Sequence, residues 1–289
     1  MSCYSKGERD MDFYDRGWSR RLRGVGFYGI ILCIMLIFAA PILWTFLTSI
    51  QPLKNLKELR FDLSASTFSA YKDLFANGGF QRSLRASLII SLGASLASML
   101  VAALAAYAGT FYTFKGRELM ITGTLVIQMA PAVLMMIPIY LLCAKLNMAG
   151  TFPGIVLVFT LFISPMITWM LRGYFRDVPR ALFDSALIDG CSRTSIIFRI
   201  IMPLVRPGLM ACFIYAFICA WNEVLITIIL CNSQTTTLTV YAATFATTYD
   251  VDYAGLAALG IFASLPSIIL VILFNRQLIE GLLEGSVKG

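Results

Sequence analysis

Long uncharged apolar stretches alternate with short polar ones along this chain. Val25–Ile50, Ala86–Phe114, Leu119–Ala144, Leu146–Leu171 and Tyr253–Asn275 contain no Asp, Glu, Lys or Arg, and Gly208–Leu230 contains one acid, Glu223. A helix needs about 20 mainly apolar residues to cross a bilayer. The pattern therefore predicts an all-α integral membrane protein with six transmembrane helices. Only the region of Lys145 to Thr151 separates the third stretch from the fourth, which predicts a tight helical hairpin. The expected organisation is an N-terminal segment 1–24, a membrane domain 25–275 and a tail 276–289. The apolar stretch at 25–50 is far longer than the roughly 7–15 apolar residues of a secretory signal, so it reads as an uncleaved anchor.

An even number of spans puts both ends of the chain on one side. The segments facing that side carry 16 Lys and Arg, against 7 in the other three loops. Positive residues favour the cytoplasm, so both ends are expected there. Six of the seven lie in the long outer loop 51–85. The same bias accounts for the net charge of +7 without nucleic acid. Charged residues make up 13% of the chain, about half the share usual in soluble domains.

Little in the sequence suggests catalysis or metal binding. Histidine is absent, and the seven cysteines include no CxxC pair. That removes zinc sites of Cys and His type and Ser-His or Cys-His nucleophiles. The stretch 86–114 is rich in small residues, including Ser91, Gly93, Ala94, Ser95, Ser98, Ala102, Ala103 and Ala106. Small residues let helix backbones approach closely in lipid, so this helix should pack centrally. Pro131 and Pro138 predict kinks in the third stretch, and Gln128 is its polar residue and a candidate for lining a pathway.

The polar break at 172–207 has an ordered pattern. Asp177 can cap a helix that has Pro179 in its first turn. Residues 180–188 form that helix, with Leu182, Ala186 and Phe183 as its apolar side. Gly190 suits the left-handed stop. Ser192 can cap a second helix, 193–202, which Pro203 and Pro207 limit. Arg180–Asp184 and Asp189–Arg193 are spaced i,i+4. On composition alone the segment is an amphipathic loop lying on the membrane surface.

The spacing of Asp184, Ser185, Ala186, Asp189, Gly190, Cys191 and Pro203, with Pro207 beyond, resembles the EAA loop of binding-protein-dependent ABC importer permeases. Asp184 stands for the usual Glu, Ser185 for the first Ala and Cys191 for the Ala after Gly. Trp221-Asn222-Glu223 looks like the Trp-Asn-Glu/Asp element of sugar-type permeases. The tail, with Gly281, Gly285, Val287, Lys288 and Gly289, is similar to the ending of the maltose-type G subunit.

The resemblance implies a type I importer permease fold and a cytoplasmic coupling helix, placed in the short helix after Gly190. It also implies a second permease subunit, two copies of a cytosolic ATPase and an extracytoplasmic solute-binding protein. Asp184, Ser185, Ala186, Asp189, Gly190, Cys191, Ser192, Pro203 and Pro207 would then couple to the ATPase. The chain has no GxxxxGK[ST] phosphate loop, so ATP and Mg would be bound by the partner, and this chain carries no cofactor.

Two readings of Glu223 stay open. It lines or gates the pathway with Trp221 and Asn222, or it fixes helix packing. The tail likewise reads as a strand-like insert touching the ATPases or as a loose end. An ion-gradient-driven secondary carrier is the rival function. It would call for inverted repeats and interrupted helices, neither of which is evident in the sequence.

Overall fold

The computed structural model describes residues 7–275 apart from 59 and 247–250, with side chains from Phe27 onward. Among the described residues the regular structure is helical. The main elements are α1 (Gly7–Ser49), α2 (Leu53–Lys57), α3 (Ser69–Ala76), α4 (Gly78–Phe111), α5 (Arg117–Gln128), α6 (Ala132–Lys145) and α7 (Phe152–Asp177). They continue as α8 (Arg180–Ile188), α9 (Arg193–Leu204), α10 (Arg206–Trp221), α11 (Leu225–Leu230), α12 (Leu238–Tyr241) and α13 (Tyr253–Leu273).

The apolar part of α1 (Phe27–Ser49) and the helices α4, α7 and α13 are each long and apolar enough to cross a bilayer. The other two apolar stretches are broken. In the third, the chain leaves the helix at Met129–Ala130 and restarts after Pro131. Pro131 supplies no N–H to the turn before it and disfavours helical geometry at Ala130. Pro138 stays inside α6, whereas Pro131 interrupts the helix outright. The fifth stretch is interrupted at Asn222–Val224, between α10 and α11.

Helix ends also differ from the apolar limits. α4 begins at Gly78 rather than Ala86, because the Asn77 side chain accepts a bond from the Gly79 N–H. α7 starts at Phe152, where Thr151 caps it, and runs on to Asp177. Helix geometry continues past the apolar window wherever a cap and water can serve the polar residues.

α4 is the central helix, packed against α7 and α10. Ser91, Ala94, Ser95, Ser98, Ala102, Ala103 and Ala106 are all buried on it, as the small-residue stretch predicts. Close approach recurs between α7 and α10, where a Cβ on Gly208 would lie 2.4 Å from the Tyr174 ring. α1 packs mainly on α13, and of Phe27–Ser49 only Ser49, at its end, is buried within the chain.

The connecting loops sort onto two ends. At one end the Gly150 N–H donates to Leu230 O at 2.8 Å, and Asn232 Nδ2 donates to Gly150 O at 3.2 Å. Helix α3 and the segment 231–246 belong to the same end, since Leu74, Phe80, Leu238 and Tyr241 share one core cluster, and α2 contacts α13. At the other end the end of α4 meets α8 and the start of α9, and the start of α5 meets α7. The broken pairs α5–α6 and α10–α11 each connect the two ends.

Candidate functional site: the helical loop and the cavity beside Glu223

The loop between α7 and α10 is rigid by construction. α8 ends in a paired-bond stop: the Gly190 N–H reaches Leu187 O at 3.1 Å, and the Cys191 N–H reaches Ala186 O at 3.0 Å. These satisfy carbonyls that the helix end leaves open. Gly190 has φ +79, a conformation that costs other residues strain. Ser192 then caps α9, its hydroxyl accepting from the Ser195 N–H at 3.2 Å. Asp177 does not take the expected N-cap position. Asp177 is the last residue of α7, and Pro179 holds the position before α8 with no side-chain bond.

α9 carries a π-helical turn over Ile196–Ile201. Its final bond runs from the Met202 N–H to Ile197 O, five residues back. Pro203 follows and has no N–H to give, so the widened turn accommodates it. The wider turn also puts Ile196, Ile197 and Ile201 on one buried side. Beyond Val205 the chain bends by 81° into α10. Pro207 sits in the first turn of α10, where a missing N–H does no harm.

The apolar side of α8 is Phe183 and Ala186, both buried; Leu182, expected inside, points out. The Phe183 ring stacks on Phe111 at 5.0 Å and meets Tyr107 and Tyr112 edge-on. α8 is therefore clamped to the end of α4. Neither i,i+4 pair closes as an ion pair. Arg193 lies over the Tyr112 ring at 5.1 Å instead, and Tyr107 Oη donates to Arg193 O at 3.5 Å.

Asp184, Ser185, Asp189, Gly190 and Ser192 are exposed, and Cys191 is half-buried. Pro203 is exposed and Pro207 half-buried. Leu182, Leu187 and Ile188 are exposed apolar residues of α8, with Ile188 at 86%, and at 3.6 residues per turn Asp184 and Ser185 stand between them around the helix. These residues lie on the helix before Gly190. On the helix after it Ile196, Ile197 and Ile201 are buried, while Arg193, Thr194, Phe198 and Arg199 are exposed.

A charge cluster absent from the sequence reading stands at this end. Arg172, 7% exposed, holds Glu118 with both terminal nitrogens, one at 2.8 Å to Oε2. Arg117 and Arg176 also approach Glu118, at 3.2 and 4.0 Å. The Arg172 hydrogen bond holds the Glu118 carboxyl well down, to about 2. The pair ties α5 to α7 across 54 positions. Its only signal in the sequence is a charge at each helix end.

The pathway candidates separate. Gln128 and Glu223 line one cavity of about 250 Å³, together with Tyr215, Cys219, Phe162 and Met166. Tyr215, Cys219 and Glu223 recur every four residues and so share one side of α10 and its end. Gln128 Nε2 donates to Phe162 O. That carbonyl neighbours Leu161 O, whose usual helical donor is absent at Pro165.

One Glu223 carboxylate oxygen, Oε1, accepts from the Ile226 N–H at 3.1 Å, and Glu223 O accepts from Thr227 and Thr239 hydroxyls. Glu223 thus both faces the cavity and organises the break before α11. Trp221 does neither. It is 3% exposed, stacks on Phe217 at 5.5 Å and donates Nε1–H to Ala263 O at 2.9 Å. Asn222 is exposed and bonds back to Ile218 O of its own helix, away from the cavity lining. The tail candidates Gly281, Gly285, Val287, Lys288 and Gly289 lie outside the described residues.

Residues 98–282 match the family model described as binding-protein-dependent transport system inner membrane component. The chain is 30% identical over 252 residues to the trehalose transport system permease protein SugB of Mycobacterium tuberculosis, covering 86% of this chain and 92% of that one. It is 32% identical over 265 residues to the diacetylchitobiose uptake system permease protein DasC of Streptomyces coelicolor, covering 90% and 95%. Its fold is similar to a chain of a bacterial ABC transporter that imports the acidic polysaccharide alginate, with TM-score 0.76, 18% identity and coverage of 96% and 99%. With its helical membrane fold and a loop of this geometry, the chain belongs to the binding-protein-dependent transport system inner membrane component family: it is an ABC transporter permease subunit.

Proposed function

We propose that this chain forms one half of the translocation pathway of an ATP-driven carbohydrate importer and takes its driving force through α8. The observation that carries the reading is the two-sided character of that helix. Its inner side is fixed to α4 by the Phe183 stack, and its outer side offers Ile188, with Leu182 and Leu187 exposed at the two flanks, to a partner. A rigid, two-sided helix transmits displacement of a docked partner into the spans, whereas a loose loop absorbs it. The partner is a cytosolic ATPase, present in two copies, which binds the ATP and Mg²⁺. Asp184, Ser185, Asp189 and Gly190 stand beside these exposed apolar residues and complete the docking surface. This puts the coupling role on the helix before Gly190.

A second permease subunit completes the pathway. The cavity of about 250 Å³ is smaller than the roughly 300–1,000 Å³ usual for ligand pockets, which suits a half-site. An extracytoplasmic binding protein delivers solute to the end formed by α2, α3 and the 231–246 segment. The charge bias of 16 against 7 supports placing the α8 end, and both chain ends, in the cytoplasm. The carbohydrate class rests on the trehalose and diacetylchitobiose relatives.

The test is crosslinking and uptake in cells carrying the whole gene cluster. A cysteine at Ile188 in a background without the native cysteines should crosslink to the ATPase and stay unlabelled by membrane-impermeant reagents outside. Uptake over a panel of labelled mono- and disaccharides should require this chain. Outside labelling of Ile188→Cys, or carbohydrate uptake unchanged on deletion, refutes the proposal.

A further inference from the structure

Glu223 is the one ionisable carboxylate in the cavity lining, and no Lys or Arg stands beside it there. The other polar groups are the Gln128 amide, the Tyr215 phenol and the Cys219 thiol, all neutral hydrogen-bonding groups at ordinary ionisation. Phe162 and Met166 supply low-dielectric wall. Such walls concentrate the field of a single charge in the space between them. The carboxylate is also aimed. Oε1 is held by the Ile226 N–H at 3.1 Å, while Oε2 has no protein donor among the described residues. One acceptor is therefore spent on the backbone, and the other is left for a guest.

We infer that this cavity is charge-selective: it accepts neutral or cationic polyhydroxylated solutes, rejects anionic ones such as uronates and sugar phosphates, and owes the discrimination to Glu223. The inference rests on the proposed pathway reading and narrows its substrate class. A sugar hydroxyl or an ammonium donates to Oε2, and Gln128 and Tyr215 add neutral donors and acceptors. A guest carboxylate or phosphate brings only acceptors and a like charge. At a separation of ~5 Å and an effective dielectric of ~20, that repulsion lowers occupancy by roughly two to three hundredfold. The fold neighbour that imports an acidic polysaccharide, at 18% identity, shares the architecture alone.

Cys219, in the same lining, is a built-in probe. The complete transporter, with this chain's other six cysteines replaced, is placed in nanodiscs of neutral lipid. Cationic trimethylammonium-ethyl and anionic sulfonatoethyl methanethiosulfonates are compared, with rates normalised to a free thiol. The cationic reagent should modify Cys219 at least about tenfold faster. Glu223→Gln should bring the ratio near one, and Glu223→Asp should keep most of it, which guards against a folding artefact. Equal normalised rates in the parent protein overturn the charge selection and leave the pathway reading standing. No reaction with either reagent, with and without ATP, overturns the pathway reading and the inference with it. Identification of a uronate or sugar phosphate as the transported solute overturns the inference directly.

Discussion

Phe183→Ala isolates the mechanical link between the ATPase-facing helix and the spans. The side chain is 6% exposed, stacked on Phe111 and bracketed by Tyr107 and Tyr112. Truncating a buried Phe to Ala costs about 3–5 kcal/mol, of which ring-to-ring geometry accounts for roughly 0.5–1.5 kcal/mol. The socket lies at the rim of the bundle, where neighbours can relax, so the lower end applies. About 3 kcal/mol shifts the balance between clamped and released α8 by roughly a hundredfold.

The residues that make up the spans are untouched, so insertion and subunit assembly should persist. Loss of the clamp should appear as ATP hydrolysis that no longer drives uptake. The assay is paired ATPase and uptake rates in membrane vesicles, each normalised to assembled complex. Phe183→Leu refills most of the socket and should recover most of the coupling. Wild-type uptake per hydrolysed ATP in Phe183→Ala would refute the reasoning.

A Cβ at Gly190 would meet no atom within 4 Å of its own chain, so within the chain Gly190→Leu acts through backbone conformation, about 1–2 kcal/mol of left-handed strain; uptake should fall, and Gly190→Asn should be milder. The Glu118 carboxyl is held below its ordinary value of 4.5, at about 2. The stability it contributes is therefore complete above pH 4.5 and is lost as pH falls from there toward about 2. Thermal melts of the detergent-solubilised complex should steepen across the upper part of that window, and Glu118→Gln should flatten them. Trp221→Phe keeps the stack on Phe217 and loses the bond to Ala263, so stability should drop by about 0.5–1.5 kcal/mol with solute affinity unchanged. A changed solute affinity in that variant returns Trp221 to the pathway.

The parts legible in sequence are those whose signal is local. Gly190 and Ser192 announce a stop and a start within three residues, and the structure builds both. The small residues of 86–114 announce close packing without naming the partner, and α4 proves to be the central helix. What was missed depends on partners far along the chain. Nothing near Phe183 shows that it, rather than Leu182, turns inward, because Phe111 and Tyr107 make the socket. Arg172 and Glu118 are separated by a hairpin and a break. Trp221 and Glu223 stand two residues apart and were read as one unit. The helix ends between them, so the indole turns to α13 while the carboxylate turns to the cavity. The π turn of α9 needs the burial of Ile196, Ile197 and Ile201 as well as Pro203, and only Pro203 was visible beforehand.

The pairing of α1 with α13 has a consequence for biogenesis. During synthesis the first apolar helix leaves the ribosome some two hundred residues before the helix it packs against. Until then only the end of α1 has partners in its own chain, Phe61 stacked on Trp44 and Tyr71 bonded to Ser49, and lipid must serve as the solvent for the rest. Its contact with α13, where Thr45 comes within 3.9 Å of the position a Cβ would take on Gly260, is the last to form. The bundle grown between them has to arrange itself around α4 and α7 first. Such long-range closure is slow, and it makes α13 the latch of the whole assembly. A chain arrested before α13 should leave α1 free in the bilayer and open to rapid turnover by membrane proteases, however well α4, α7 and α10 have already packed.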